Sequence, residues 1–239
     1  MIDTIRDLYK KTCFHVKTKD GLSQLISDTV GVNQGGNLSP TLFRQYIADL
    51  GKYLHRQCGI VVGEEILTHI LWADDLILIS DSESGIQKQL NGLFDFCSAN
   101  HMIVNEMKTK VMHFGPKNKV IVKFNGKIIQ QVDQYKYLGN IISSITNSRG
   151  DIFKENYKYL SDKGRKATFA MHQKLKPFGK LPPNILLHVY DALVKPILVY
   201  GSEVWGLTKH GTNILDRVFL GFLKDNRSQN INQLPYCLW

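Results

Sequence analysis

The sequence predicts an α+β fold, an antiparallel sheet with packed helices, followed by an all-helical module. Three observations carry that expectation. Short β-branched and aliphatic runs alternate with turn residues up to about residue 142. From about 150 the apolar residues recur at helical spacing, punctuated by Pro177, Pro182 and Pro183. Charge divides the same way: residues 1–115 hold 11 Lys/Arg against 13 Asp/Glu, residues 116–150 hold 6 against 1, and residues 151–239 hold 13 against 7. Three regions follow, 1–115, 116–149 and 150–239.

Each element has its own signal. Ile2, Ile5, Leu8 and Tyr9 form a short helical stripe. Residues 12–18 and 22–28 read as strands joined at Lys19-Asp20-Gly21. Gly31-Val32-Asn33-Gln34-Gly35-Gly36-Asn37-Leu38-Ser39-Pro40 holds three glycines, so its backbone turns sharply or lets something approach closely. Ser39 as N-cap and Pro40 at the first helical position then open a helix whose inner stripe is Leu42, Phe43, Tyr46, Ile47, Leu50 and Leu54. Thr68 to Ser80 reads as two short buried strands around Asp74-Asp75, and Ile86, Leu90, Leu93, Phe94 and Cys97 mark a second amphipathic helix. Strands are expected at 110–114, 120–124 and 127–131, the last two joined by Asn125-Gly126, and another from Tyr135 to Ile142. Helices are expected over 150–176, 183–206 and 212–224, with a kink at Pro196.

Composition bounds the function. A chain of 239 residues with 43% hydrophobic content can bury a core in one or two domains. No apolar run approaches the ~20 residues of a membrane helix, and the start lacks a signal-peptide pattern. Cys13, Cys58, Cys97 and Cys237 are scattered without zinc spacing and read as reduced thiols. The net charge of +9, concentrated in the second half, favours a polyanionic partner.

Asp74-Asp75 is the chemical focus. Two unit charges about 4 Å apart repel by roughly 4 kcal/mol at an effective dielectric of 20. A divalent cation removes that repulsion, and hard cations prefer carboxylate oxygens. Turn chemistry alone also accommodates Asp-Asp, so the neighbouring motifs decide. A glycine-rich turn opening a helix, an Asp-Asp hairpin, a helix, a Lys-rich strand and a basic helical module come here in that order.

This ordering resembles the palm and thumb of a reverse transcriptase, most closely those of non-LTR (LINE-type) retrotransposons. Gly31 to Phe43 is similar to the family's GVRQGCPLSPxLF motif, and Trp72-Ala73-Asp74-Asp75 to its [FY]ADD hairpin. Asn105-Glu106-Met107-Lys108-Thr109-Lys110 resembles the fourth motif, Tyr135-Lys136-Tyr137-Leu138-Gly139 the primer grip, and Ile197 to Trp205 a signature of the helical region. Asn33 stands where the motif has Arg, Gly36-Asn37 where it has Cys-Pro, and Trp72 where it has Phe or Tyr.

The resemblance implies a partial polymerase palm followed by a thumb-like module, a piece of an RNA-directed DNA polymerase. Its intact parent would perform two-metal nucleotidyl transfer with Mg²⁺, or Mn²⁺, on an RNA template, a DNA primer and deoxynucleoside triphosphates. Asp74 and Asp75 would be the metal carboxylates, and Lys108 or Lys110 the lysine near the triphosphate. Gln34 and Gly35 would contact template and nucleotide, and Tyr137, Leu138 and Gly139 would hold the primer end. On the 150–176 helix, whose basic residues run from Lys154 to Lys176, Lys158, Arg165 and Lys166 would meet phosphates. Tyr200 and Trp205 are expected in the core, and His69 in a structural role. The family's third carboxylate, an aromatic-Asp pair upstream of Gly31, has no counterpart: Asp3 and Asp7 sit on a predicted helix. Polymerase activity of this chain alone is therefore expected to be very weak or nil, and the Asp74 hairpin is expected to keep an unpaired apolar edge. The rival expectations are a non-catalytic nucleic-acid-binding remnant and a truncated product without function. The family implies an intracellular site, nucleus or cytoplasm; oligomeric state is left open.

Overall fold

The computed structural model describes residues 2–9, 13–27, 31–116, 119–144, 150–206 and 209–225. Helices and short strands alternate through the first 144 residues and helices alone follow, so the fold is α+β. Cys237 and positions 12 and 28 of the expected first hairpin lie outside the described residues.

The first stripe folds as α1 (Ile2–Tyr9), yet buries none of its residues. β1 (Cys13–Phe14), β2 (Lys17–Thr18), β3 (Gly21–Leu22) and β4 (Ile26–Ser27) make a nested hairpin, β2 against β3 and β1 against β4, around the expected turn. α2 (Ser39–Tyr46) starts with Pro40 in its first turn, but Ser39 is not its N-cap; Leu38 is, without a side-chain cap. The Ser39 hydroxyl instead donates backwards to the Asn33 carbonyl at 2.6 Å, tying the glycine-rich loop to the helix.

The expected stripe from Leu42 to Leu54 is broken. Turns at 47–49 separate α2 from α3 (Leu50–Tyr53). Ile47, Leu50 and Leu54 are buried as expected, whereas Tyr46 is half exposed and donates its hydroxyl to the Asn100 carbonyl. β5 (Ile60–Val62) pairs with β6 (Glu65–Leu67), and β7 (His69–Trp72) with β8 (Asp75–Leu78). α4 (Glu83–Ala99) is capped by the Ser82 hydroxyl, which accepts from the Gly85 N–H at 3.2 Å. Its Leu90, Leu93, Phe96 and Cys97 form the first core with Ile47, Leu50, Leu54, Val122, Phe124 and Ile129. Gln89, fully buried there, accepts from the His55 N–H and donates to the His55 carbonyl.

β9 (Lys110–Val111), β10 (Lys123–Phe124), β11 (Lys127–Ile128) and β12 (Gln130–Gln131) are shorter than the expected strands, and β12 pairs with β9 in parallel. Asn125 and Gly126 both take positive φ, as a type I′ turn requires. The expected single strand from Tyr135 to Ile142 is instead a hairpin, β13 (Gln134–Tyr137) and β14 (Asn140–Ser143). Leu138 and Gly139 turn the chain with φ of 45° and 85°, a second turn of that kind. Tyr135, Tyr137, Ile141 and Ile142 favour strand on both sides and concealed it, because a leucine at the first turn position is not a turn signal.

α5 (Lys154–Leu175) runs into a 3-10 turn, Lys176–Phe178, and α6 (Pro183–Leu193) follows. The helix expected over 183–206 is three pieces: α6, α7 (Lys195–Leu198) and α8 (Ser202–Trp205). Pro196 cannot donate a helical hydrogen bond, and Gly201 turns left-handed at φ 74°. α9 (Lys209–Asp225) closes the second core, in which Tyr157, Leu160, Met171, Tyr190, Val194, Trp205 and Phe222 meet. α5 also packs on β14, so the hairpin at 134–143 is seated on the helical module.

Candidate functional site

Asp74 and Asp75 stand at the tip of the β7–β8 hairpin, where Trp72 pairs with Asp75 across the two-residue turn Ala73-Asp74. Both aspartates are exposed, and among the described residues no Lys or Arg lies within ion-pair distance of either. Ala73 holds a φ of 52°, a left-handed conformation that costs an L-residue on the order of 1–2 kcal/mol. The strands are less buried than expected, with Ile70 44% and Trp72 68% exposed. Among the described residues the sheet holds only these two strands. Half-buried His69 bonds through Nδ1 to the Thr68 hydroxyl at 2.9 Å, and burial lowers its pKa. That is a structural role.

The β13–β14 hairpin carries Tyr137, whose phenol feels the Asp75 charge. Burial raises the Tyr137 phenol pKa, and the Asp75 charge raises it further. The Tyr137 hydroxyl is buried with no hydrogen-bond partner. The turn after it is clamped from the helical module. Tyr200, expected in the core, is 51% exposed and donates its hydroxyl to the Leu138 carbonyl at 2.9 Å. Its ring covers Gly139 so closely that a Cβ there would stand 2.7 Å from Tyr200 Cε1. Buried Asn156 of α5 accepts from the Ile141 N–H at 2.9 Å and donates to the Asn140 side chain at 3.0 Å. Gly201 in turn lies against that Asn140 amide. Trp205, 2% exposed, is core as expected, and its indole N–H donates to the Tyr200 carbonyl at 3.0 Å.

The other sequence-predicted residues are dispersed. Gln34 and Gly35 sit exposed on the loop before α2, Gly35 at φ 81°, and no hydrogen bond joins the Gln34 side chain to another described residue. Lys108 is exposed, and its carbonyl accepts from the Tyr135 hydroxyl at 3.3 Å. Lys110 is half-buried, its ammonium donating to Gln130 at 2.7 Å. The basic residues of α5 divide between two flanks. Lys158 pairs with Glu155 at 3.0 Å and Arg165 with Asp162 at 3.3 Å. Lys163 and Lys166 have no carboxylate partner, and Lys163 faces the Tyr159 ring with Lys136 of β13. Among the described residues no three His, Cys, Asp or Glu side chains converge as a metal site.

Residues 2–142 match the family described as reverse transcriptase (RNA-dependent DNA polymerase). The chain belongs to the reverse transcriptase family. Reverse transcriptase relatives of mobile elements extend the match. The RNA-directed DNA polymerase from mobile element jockey of Drosophila melanogaster is 25% identical over 211 residues, 85% of this chain and 22% of that protein. A transposon-derived protein of Caenorhabditis elegans is 29% identical over 149 residues, 60% of this chain and 50% of that protein. The Pol polyprotein of the type-2 retrotransposable element R2DM of Drosophila melanogaster is 32% identical over 120 residues, 46% of this chain and 11% of that protein. The chain thus spans half or less of the length of these relatives. Its homology is to the RNA-directed DNA polymerases of non-LTR elements.

Reverse transcriptases use divalent metal ions. Two exposed carboxylates free of cationic neighbours suit a hard cation, and they supply two of its protein ligands at most. Sequence reading missed the clamp. Tyr200 and Gly201 do fall inside the Ile197–Trp205 signature, but an aromatic at helical spacing reads as core. Asn140 and Asn156 carry no pattern of their own.

Proposed function

We propose that this chain is the palm-and-thumb part of a LINE-type reverse transcriptase domain. In the whole polymerase, RNA-templated DNA synthesis would run by two-metal nucleotidyl transfer, with Mg²⁺ as the ion and deoxynucleoside triphosphates as substrates. The observation that carries the reading is the exposed Asp74-Asp75 tip, which among the described residues has no Lys or Arg within ion-pair distance. Asp74 and Asp75 would hold metal, and a third carboxylate would come from outside these 239 residues. Tyr137, Leu138 and Gly139 would support the primer end, on a turn that Tyr200 holds in place. Gln34 and Gly35 would face template and nucleotide, where a glycine leaves the backbone open to approach. Lys108 is the better candidate for the triphosphate than Lys110, because among the described residues its ammonium has no partner while that of Lys110 is bound to Gln130. The regions 1–115 and 150–239 correspond to palm and thumb, with 116–149 between them.

The test is primer extension on poly(rA)/oligo(dT) with Mg²⁺ or Mn²⁺. A chimaera in which residues 31–225 replace the aligned stretch of a jockey polymerase should incorporate dTTP, and Asp74→Asn should abolish it. The chain alone should show no Asp74-dependent incorporation. A folded chimaera that is inactive, or retains activity after Asp74→Asn, would overturn the assignment.

A further inference from the structure

The junction of β13 with α5 collects positive charge around one phenol. Lys136 Nζ donates to the Tyr159 hydroxyl at 2.8 Å and stands 5.0 Å from the ring centre, and Lys163 Nζ stands 5.2 Å from the same centre. Among the described residues neither ammonium has a carboxylate within ion-pair distance, although acidic residues are close in sequence on α5. Glu155 and Asp162 are engaged on the other flank, by Lys158 and Arg165. Two like charges held near one neutral ring repel each other, and the ring quadrupole offsets only part of that.

Because Lys136 donates to the Tyr159 oxygen, the phenolic proton is left to donate outward. Among the described residues the two ammoniums have no acceptor but the Tyr159 oxygen, and no carboxylate faces them. The Tyr159 phenol responds to the same field: the Lys136 hydrogen bond lowers its pKa, and the Lys163 and Lys136 charges lower it further. Lys166, also without a carboxylate, continues the flank three residues on.

We propose that Lys136, Tyr159 and Lys163 form a binding site for one backbone phosphate of a nucleic-acid strand, with Lys166 beside it. This rests on the reverse transcriptase reading and adds a specific seat to it. A phosphodiester fits because its anionic oxygens accept from all three donors, and because an open helix face suits a passing strand. Lys136 directly precedes Tyr137 and the clamped turn. A strand ending at that turn would run its backbone past the cluster.

Fluorescence anisotropy of a labelled 16-base-pair rA/dT hybrid, titrated with the full chain from 50 to 300 mM NaCl, tests the site. The double variant Lys136→Gln/Lys163→Gln is compared with Lys52→Gln/Lys88→Gln, which removes the same charge from exposed positions on α3 and α4. We expect the first pair to weaken binding about tenfold at 100 mM salt and to reduce the slope of log K against log salt by about 1, the contribution of one phosphate contact. The second pair should change binding less than threefold, and Tyr159→Phe should fall between. Thermal melts of the variants should match the unaltered chain, since both lysines are exposed. Equal weakening by the two pairs would overturn the site and leave the family reading standing. No binding by the unaltered chain at 50 mM salt would overturn both. Displacement of the hybrid by dTTP from the unaltered chain but not from the double variant would make the cluster a free-triphosphate site and overturn the backbone assignment.

Discussion

Asn156→Leu should separate the β13–β14 hairpin from the helical module at a measurable cost. Asn156 is fully buried and makes two polar contacts, accepting from the Ile141 N–H and donating to Asn140. Leucine keeps the volume and removes both. Losing the acceptor strands a part-buried backbone N–H, which costs about 1–3 kcal/mol, and the second bond is worth about 0.5–1.5 kcal/mol. The sum is about 2–4 kcal/mol, or roughly 4–16 °C in Tm for a chain of this size. Chemical denaturation followed by circular dichroism and by fluorescence measures it, with buried Trp205 among the fluorophores. Asn140→Ala and the double variant complete a cycle that isolates the pair, expected to couple by about 1 kcal/mol. A loss below about 0.5 kcal/mol, or an uncoupled cycle, would show that the hairpin is not held through Asn156.

Three further outcomes are expected. Ala73→Gly relaxes the left-handed φ at the hairpin tip and should stabilise the chain by up to about 1 kcal/mol, read by the same denaturation; destabilisation would show that Ala73 is unstrained. Because burial depresses the His69 pKa, the folded chain binds fewer protons there, so its contribution is present above the ordinary value of 6.5 and is lost as pH falls through the folded pKa. His69→Gln should therefore flatten the decline of stability between pH 7 and pH 5, and an unchanged profile would exclude His69 as its source. Ile70→Thr/Trp72→Thr, on the half-open β7 strand, should reduce self-association measured by light scattering; unchanged association would place the sticky edge elsewhere.

The family and the Asp74-Asp75 hairpin were legible in the sequence because their signals are local. An alternating apolar frame around Asp-Asp, a Pro at a helix start and an Asn-Gly turn each act within a few residues. What was not legible depends on contacts between distant segments. Leu138-Gly139 reads as strand because Leu favours strands, and only the Tyr200 hydroxyl on the Leu138 carbonyl, 62 residues away, reveals a clamped turn. The Glu155–Lys158 and Asp162–Arg165 pairs on α5 are local and readable from i,i+3 spacing, whereas the Lys136–Tyr159 contact that sets Lys163 apart joins separate segments. Ser39 misled for a related reason. Its residue type suits an N-cap, but its hydroxyl finds a better acceptor in the loop behind it.

The clamp also changes what a hairpin of this kind can do. A turn built on Leu138 at φ 45° is costly by itself, and an isolated two-stranded hairpin is marginally stable in water. Tyr200, Asn156 and the Gly201–Asn140 contact offset that cost from the helical side. The turn is therefore ordered only while the helices are folded. Tyr137, one residue before it, sits within the field of Asp75. Folding of the basic helical module thus positions Tyr137, a group that feels the Asp75 charge, so the last third of the chain acts on that hairpin from outside it.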